Sequence, residues 1–361
     1  MLPMGADLTS ALIGGCFVGS ACGAYMILGS HIAGSSGHMK ALIVGPRDAH
    51  KMAYLLGMVI AAVTFSFTLP DVFEQVEDPT SALKYTLLVV GGLCSGIGTN
   101  LGGGCTSGHG LCGISRLSLR SIVATPTFLL TAAVTATLSH GIPWPPTLLP
   151  IIPPVAAKLN CAFYAMAGLA PLYIGLGMLA AYPRGTSQST RDIVLGGTVG
   201  LTFGFGLCIG GMIRPSVVIH ALTPTPFDLT LWVLFTTALA VTFGLYRLAA
   251  RLGVEAASLL CKRDIDATKA PGATVASVVA GWASPQIPTV DLRLLIGEVM
   301  FGVGWGLTGF CPGPLLVGLV GSPQLTPFIV FAAFCAGMAI ASSEAVQTIF
   351  APATDCAPSM V

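Results

Sequence analysis

The stretch GGGCTSGHGLCGISRLSLRS, Gly102 to Ser121, sets Cys105, His109 and Cys112 among six glycines. A second stretch, GWGLTGFCPGP from Gly304 to Pro314, carries Cys311 in a similar setting. Thiols can attack, ligate a metal, exchange sulfur or donate a weak hydrogen bond. Thr106 and Ser107 offer further donors beside Cys105. If the chain is helical after Cys105, then Cys105, His109 and Cys112 share one face. A thiol beside a neutral imidazole could then pass a proton to or from a sulfur species. Metal binding is the rival reading, because Cys105, His109, Cys112 and Cys311 could gather as four ligands in space. No C-x-x-C spacing supports it, and no motif for haem, flavin or quinone supports a redox enzyme. The expectation is a protein with no metal, no cofactor and no catalytic turnover.

The solvent around these thiols follows from composition. Hydrophobic residues make up 54% of 361 positions and charged residues 9%, with a mean hydropathy of +0.84. A soluble chain is roughly a quarter charged, so this one faces lipid. A formal net charge of +1 gives no reason to expect a nucleic acid as partner. Nine stretches are apolar and long enough to span: 8–28, 51–69, 85–104, 121–139, 161–181, 192–211, 228–249, 292–311 and 326–345. The fold class is therefore an all-α polytopic membrane protein.

Basic residues set its expected orientation. Lys40, Arg47 and Lys51 share one connection, Arg116 and Arg120 another, and Arg184 and Arg191 a third. Arg247, Arg251, Lys262, Arg263, Lys269 and Arg293 lie in or beside a fourth. Placing all four in the cytoplasm puts the N-terminus outside and the C-terminus inside. The acidic loop 71–84 and the Pro-rich loop 141–158 then lie outside, with Lys84 and Lys158 as single dissenters. The expected organisation is one membrane domain over 1–345, with a cytoplasmic linker at 250–291 and a frayed tail at 346–361, in the inner membrane of a cell.

The chain also repeats itself. Displaced by 206 positions, GIGTNLGGGC (Gly96 to Cys105) falls on GVGWGLTGFC (Gly302 to Cys311), pairing Gly103 with Gly309 and Cys105 with Cys311. An earlier pairing links Gly14–Gly37 with Gly196–Val218. Each is a small-residue helix leading into a Gly/Ser or Gly/Pro turn with one basic or imidazole side chain, His31 or Arg214. Repeat A spans about 8–140, repeat B about 192–345, and 161–181 bridges them. By the charge assignment the copies start on opposite sides, which makes an inverted repeat of the kind found in transporters. Four glycine-rich turns would then converge on a central pathway.

Glycine permits turns that other residues resist, and a helix N-terminus beyond such a turn favours an anion. Gly103, Gly104, Gly108, Gly309, Pro312, Gly313, Gly34, Gly211 and Arg214 are the candidates for forming these turns and cradling a charge. Cys105, Cys311, Cys112, His109, Thr106 and Ser107 are candidates for the pathway, with Cys22 and Cys208 on the other repeated pair. Cys16, Cys94, Cys161, Cys261 and Cys335 read as packing residues. Ionisable groups within the spans are scarce, Glu298 and Glu344 lying near span ends, so passage down a gradient is at least as well supported as proton coupling.

Together GGGCTSGHGLCGISRLSLRS and GWGLTGFCPGP resemble the two signature elbows of the YeeE/YedE sulfur-transport family. GSHIAGSSG (Gly29 to Gly37) and GGMIRPSVV (Gly210 to Val218) resemble its other two turns, so the likeness runs from Gly14 to about Phe334. It implies an hourglass of nine spans with short helices pointing inward. It also implies thiosulfate as cargo, handed between cysteine thiols that bind its terminal sulfur. Cys105 and Cys311 match two of those cysteines, and Cys22 and Cys208 both stand for the third. CTSGHGLC resembles a subgroup whose cargo is persulfide sulfur, so a persulfide-type anion stays open, as does a cytoplasmic sulfur-carrier protein as partner.

Overall fold

A computed structural model describes residues 4–29, 31–75, 81–140, 187–224, 227–251 and 290–350. The bridging segment 161–181, the loop 141–158, most of the linker 250–291 and residues 351–361 of the tail lie outside them. All regular structure in the described residues is helical. The helices are α1 (Met4–Gly29), α2 (Ser35–Ile43), α3 (Ala49–Thr68), α4 (Ala82–Gly102), α5 (Leu119–His140) and α6 (Gln188–Ile209). They continue with α7 (Pro215–Leu222), α8 (Thr230–Arg251), α9 (Leu292–Thr308), α10 (Pro312–Gly321), α11 (Leu325–Ala341) and α12 (Glu344–Ile349). A π-helical segment, Thr106–Gly113, follows α4.

Among the described residues seven candidate membrane spans are long and apolar enough to cross, and α11 is a shorter apolar helix of 17 residues. Eight of the nine expected spans thus have a helix, and the protein is a polytopic membrane protein. Two expectations change in detail. The stretch 292–321 is apolar throughout, but it breaks at Gly309–Cys311 into α9 and α10. Residues expected to begin the tail form α12 instead.

Close glycine contacts show how the helices run. Along the α4–α9 contact, a Cβ on Gly91 would meet Thr308 and Gly304, whereas one on Gly102 would meet Glu298. These helices are equivalent in the repeat, and they are antiparallel. α1 and α6 behave likewise, with Gly14 against Gly206 and Gly210 and Gly29 against Leu195. Equivalent helices crossing in opposite directions mean that the two copies are inverted.

The most extensive pairings all join one copy to the other: α3 with α6, α1 with α8, α4 with α9 and α11, and α5 with α9. Small residues allow this, because lipid offers no hydrophobic drive and close backbone contact must hold the helices together. Gly57, Gly196, Gly200 and Gly204 seat α3 on α6, and Gly92, Gly96 and Gly337 seat α4 on α11. Lys40 Nζ donates to Asn100 Oδ1 at 2.7 Å, and Asn100 Nδ2 donates to the Met338 carbonyl at 2.8 Å. α2, α4 and α11 are thereby tied by one buried amide.

Glycine contact should be measurable as stability. A Cβ at Gly98 would lie 2.6 Å from the Gly297 carbonyl and 2.7 Å from Phe301 Cα, whereas one at Gly244 meets nothing within 4 Å. Gly98→Ala should cost about 1–3 kcal/mol. Gly244→Ala, in the exposed face of α8, should be neutral or gain up to about 1 kcal/mol from helix propensity. Thermal unfolding of both variants in one detergent checks the order.

Candidate functional site

Three glycines with positive φ end the first helix of an elbow: Gly103 (φ 80°), Gly211 (φ 75°) and Gly309 (φ 71°). The amide of Gly103 donates to Thr99 and that of Gly309 to Trp305, so α4 and α9 close in the same left-handed way. Two residues on, Cys105 and Cys311 are the N-cap residues of the π segment and of α10. The pairing seen in sequence is thus a pairing of backbone conformations.

Four short helices begin after these turns, at Gly34, Cys105, Arg214 and Cys311. None of the four residues caps its helix with a side chain. Ser81, Ser187 and Asp291 do cap the long helices α4, α6 and α9. Proline follows Arg214 and Cys311 directly, where the missing N–H is not needed.

Three of these starts, those of α2, the π segment and α10, come together. The Ser35 amide donates to Ser107 Oγ at 3.2 Å, and a Cβ on Gly313 would lie 2.9 Å from Ser35 Oγ. Thr106 Oγ1 and Cys311 Sγ are 3.4 Å apart, as are Cys105 Sγ and Ser107 Oγ. A cavity of about 40 Å³ opens between them, lined by Ser35, Cys105, Thr106, Ser107, Trp305, Cys311 and Pro312 to Pro314, with Phe128, Phe203, Leu207 and Met212 opposite. With a threshold of about 10–15 Å³ to admit a water, and about 30 Å³ for each water in the liquid, it has room for at least one. Among the described residues, no charged side chain lines it.

Other candidates divide. Cys22 is buried on α1 and within hydrogen-bonding reach of Cys112, and Cys105 is near enough to Cys22 and Cys311 to interact electrostatically. Tyr246 and the Ala33 amide also approach Cys112. Cys208 is buried as well, and like Cys22 and Cys112 it does not line the cavity.

His109 does not share a face with the thiols. The π winding of Thr106–Gly113 turns its ring away from the cavity, toward Ser121 Oγ at 3.0 Å, the Gly102 carbonyl at 3.2 Å and Glu298 Oε1 at 3.3 Å. The four candidate metal ligands do not converge, and among the described residues no group of three or more His, Cys, Asp or Glu gathers. Arg214 is also turned from the cavity, donating from Nε to the Val72 carbonyl at 3.1 Å.

Several residues here were invisible as single letters. Glu74, from the loop read as merely acidic and external, sits on the N-terminus of α7. Its Oε2 accepts from the Ser216 amide at 3.0 Å and from Ser216 Oγ at 2.8 Å. Burial pushes the Glu74 carboxyl above its ordinary range, although the Ser216 bonds and Arg214 pull the other way. Trp305 lines the cavity, and its buried indole N–H has no hydrogen-bond partner. Tyr54 lies beside Ser35, with its hydroxyl 3.4 Å from Ser35 Oγ. Its position within the repeated glycine contacts of α3 and α6 was the available signal.

Two family models match the two copies. One, described as sulphur transport, matches residues 5–134, and the other, described as a family of unknown function (DUF6691), matches 191–348. A probable transporter of Xylella fastidiosa strain Temecula1 is 37% identical over 126 residues, covering 35% of this chain and 90% of its own. A second probable transporter of that strain is 32% identical over 164 residues, covering 45% of this chain and 95% of its own. A probable transporter of strain 9a5c is similar to the first degree, at 37% over 126 residues, 35% of this chain and 90% of its own. Each relative is thus less than half as long as this chain.

The two cysteine elbows differ in what surrounds their glycines. A Cβ at Gly309 would lie 2.7 Å from the Pro215 carbonyl, but the nearest atom to one at Gly103 is Arg120 Nη2 at 3.7 Å. Gly103→Ala should lose about 1–2 kcal/mol from the left-handed conformation alone. Gly309→Ala should lose more, and Gly103→Asn less than either. Melting temperatures of the three variants in detergent check the ranking.

Proposed function

Because the chain belongs to the sulphur-transport family, we propose that it is a permease for thiosulfate or a closely related sulfane-sulfur anion. The cargo passes through the cavity where α2, the π segment and α10 begin. The observation that carries this reading is the meeting of two uncapped, thiol-bearing helix N-termini, at Cys105 and Cys311, in one narrow uncharged cavity. A dianion leaving water needs donors and positive dipole ends in exchange. The helix starts supply the dipoles. Thr106, Ser107, Trp305 and the two thiols supply the donors.

Weak donors suit passage. A thiol held as S–H binds the soft terminal sulfur and lets it go, and several shallow stations conduct better than one deep site. Cys311, Cys105 and then Cys22 are the stations, with Cys112 beside the last. In this reading Cys22 is the third member rather than Cys208. The protein sits in the inner membrane with its N-terminus outside and its C-terminus in the cytoplasm, the orientation that the basic connections favour.

The contact of Cys22 with Cys112 favours a second reading, passage by exchange. The Cys112 thiolate attacks the outer sulfur of a persulfide R–S–S⁻, the S–S bond breaks, and R–S⁻ leaves with Cys112 carrying the sulfur as a persulfide. No external oxidant or reductant is needed.

Uptake of labelled thiosulfate into liposomes holding the purified protein tests the first reading. Cys105→Ser and Cys311→Ser should each reduce initial uptake at least tenfold. Trp305→Phe, which keeps the ring and removes the N–H, should raise KM several-fold with a smaller effect on the maximal rate. Sulfate, which lacks the soft terminal sulfur, should compete poorly. Absence of uptake by the intact protein overturns thiosulfate as cargo. A gain of one sulfur on Cys112 after persulfide treatment, seen by mass spectrometry, would then favour exchange.

A further inference from the structure

By sequence, passage down a gradient is at least as well supported as proton coupling, because ionisable groups in the spans are scarce and Glu298 lies near a span end. In the fold that position is fully enclosed. Glu298 is 0% exposed, and neither carboxylate oxygen accepts a hydrogen bond. Gly102 of α4 packs against it, and a Cβ there would collide with its Oε1. The facing side chain is His109, whose Nε2 stands 3.3 Å from Glu298 Oε1. An ionised carboxylate buried in this way costs several kcal/mol unless a proton or a cation compensates it.

Arg120 is within electrostatic reach of Glu298 but makes no hydrogen bond to it, and the bonds of the charged groups nearby go elsewhere. From α5, Arg120 Nη2 donates to the Gly102 carbonyl at 2.9 Å, and its Nη1 lies 3.6 Å from Asp291 at the start of α9. From the connection before α5, Arg116 Nε donates to the Cys112 carbonyl at 3.1 Å. α4 contributes the Gly102 backbone at this point, and α7 meets α9 at Gly309, near its other end. His109 and Glu298 are left as a close pair that needs at least one proton between them.

The pair is also joined to the cavity. His109 belongs to the same π segment as Thr106 and Ser107, its amide donates to the Cys105 carbonyl at 2.9 Å, and its ring packs on Gly104. On the other side, Arg120 and Asp291, 22% and 34% exposed, lie about two helical turns along α9 toward water. The imidazole and carboxyl thus stand between the thiol elbow and a partly open surface.

We propose that the His109–Glu298 pair is a proton-binding site that couples transport of the anion to a proton. At rest the pair shares one proton and is neutral, as carboxylic acid with imidazole or as carboxylate with imidazolium. A dianion arriving at the Cys105 elbow favours a second proton, giving carboxylic acid with imidazolium. That proton is taken from water on the side the cargo leaves and is released to water with the cargo on the other side. Nothing is oxidised or reduced. One proton accompanies each dianion.

This inference rests on the permease reading, so the experiment separates the two. Counterflow of labelled thiosulfate against unlabelled thiosulfate by the wild-type protein needs no proton gradient and judges transport alone. With transport in hand and the membrane potential clamped at zero, one unit of pH difference, acid outside, should support a tenfold accumulation of thiosulfate. Glu298→Gln and His109→Gln should bring that ratio to one. Counterflow with no response to the pH difference, or Glu298→Gln accumulating thiosulfate like wild type, overturns the coupling and leaves the permease intact. Infrared titration of the purified protein reads the site even if the cargo is something else. A protonated-carboxyl band that titrates, vanishes in Glu298→Gln and shifts its midpoint in His109→Gln is expected, and a wild-type spectrum with no such band overturns the proposal.

Discussion

Backbone that leaves a helix inside a bilayer must find its hydrogen bonds in protein, because lipid offers none. α9, with 17 residues, extends about 25 Å and ends short of a hydrocarbon core of about 30 Å. Its elbow therefore lies within the membrane, and so do the helix starts gathered around it. Two of the four starts are answered by the protein itself, α2 by Ser107 and α7 by Glu74. The starts at Cys105 and Cys311 are answered by no capping side chain. The cavity is where this remaining demand collects.

Inversion explains why those two starts can face each other. Each copy carries the same elbow, and reversing one copy turns two like helix ends toward a common point. The copies are also inseparable as packed objects, because the main helix contacts cross from one to the other. A single copy would leave the glycine faces of α1, α3 and α4 without the helices that cover them.

The legible part of this arrangement was what a repeat can carry. Gly103 and Gly309, Cys105 and Cys311 stood out because a second copy placed the same residue types at the same backbone bend. Side-chain direction was less accessible. The helical spacing of Cys105, His109 and Cys112 suggested one shared face, but the π winding of Thr106–Gly113 sends His109 to Glu298 and Cys112 to Cys22. Glu74 and Glu298 each come from a segment whose own pattern says only acidic loop or span end. Their partners, Ser216 and His109, are distant in sequence and carry no periodic signal. Trp305 lay inside the repeat and was overlooked because its counterpart there, Thr99, is unlike it.

A cavity for a dianion without a cation in its wall needs a reason. A full positive charge inside low dielectric would hold a dianion by many kcal/mol and slow its release. The nearest arginines are spent elsewhere, Arg116 on the Cys112 carbonyl, Arg120 on the Gly102 carbonyl and Asp291, and Arg214 on Val72. What faces the cavity is a set of partial charges: helix starts, hydroxyls, thiols and an indole N–H. Each offsets part of the lost hydration and none offsets all of it. The binding energy is thereby spread over neighbouring positions, so the difference between one station and the next stays small enough for an anion to move on.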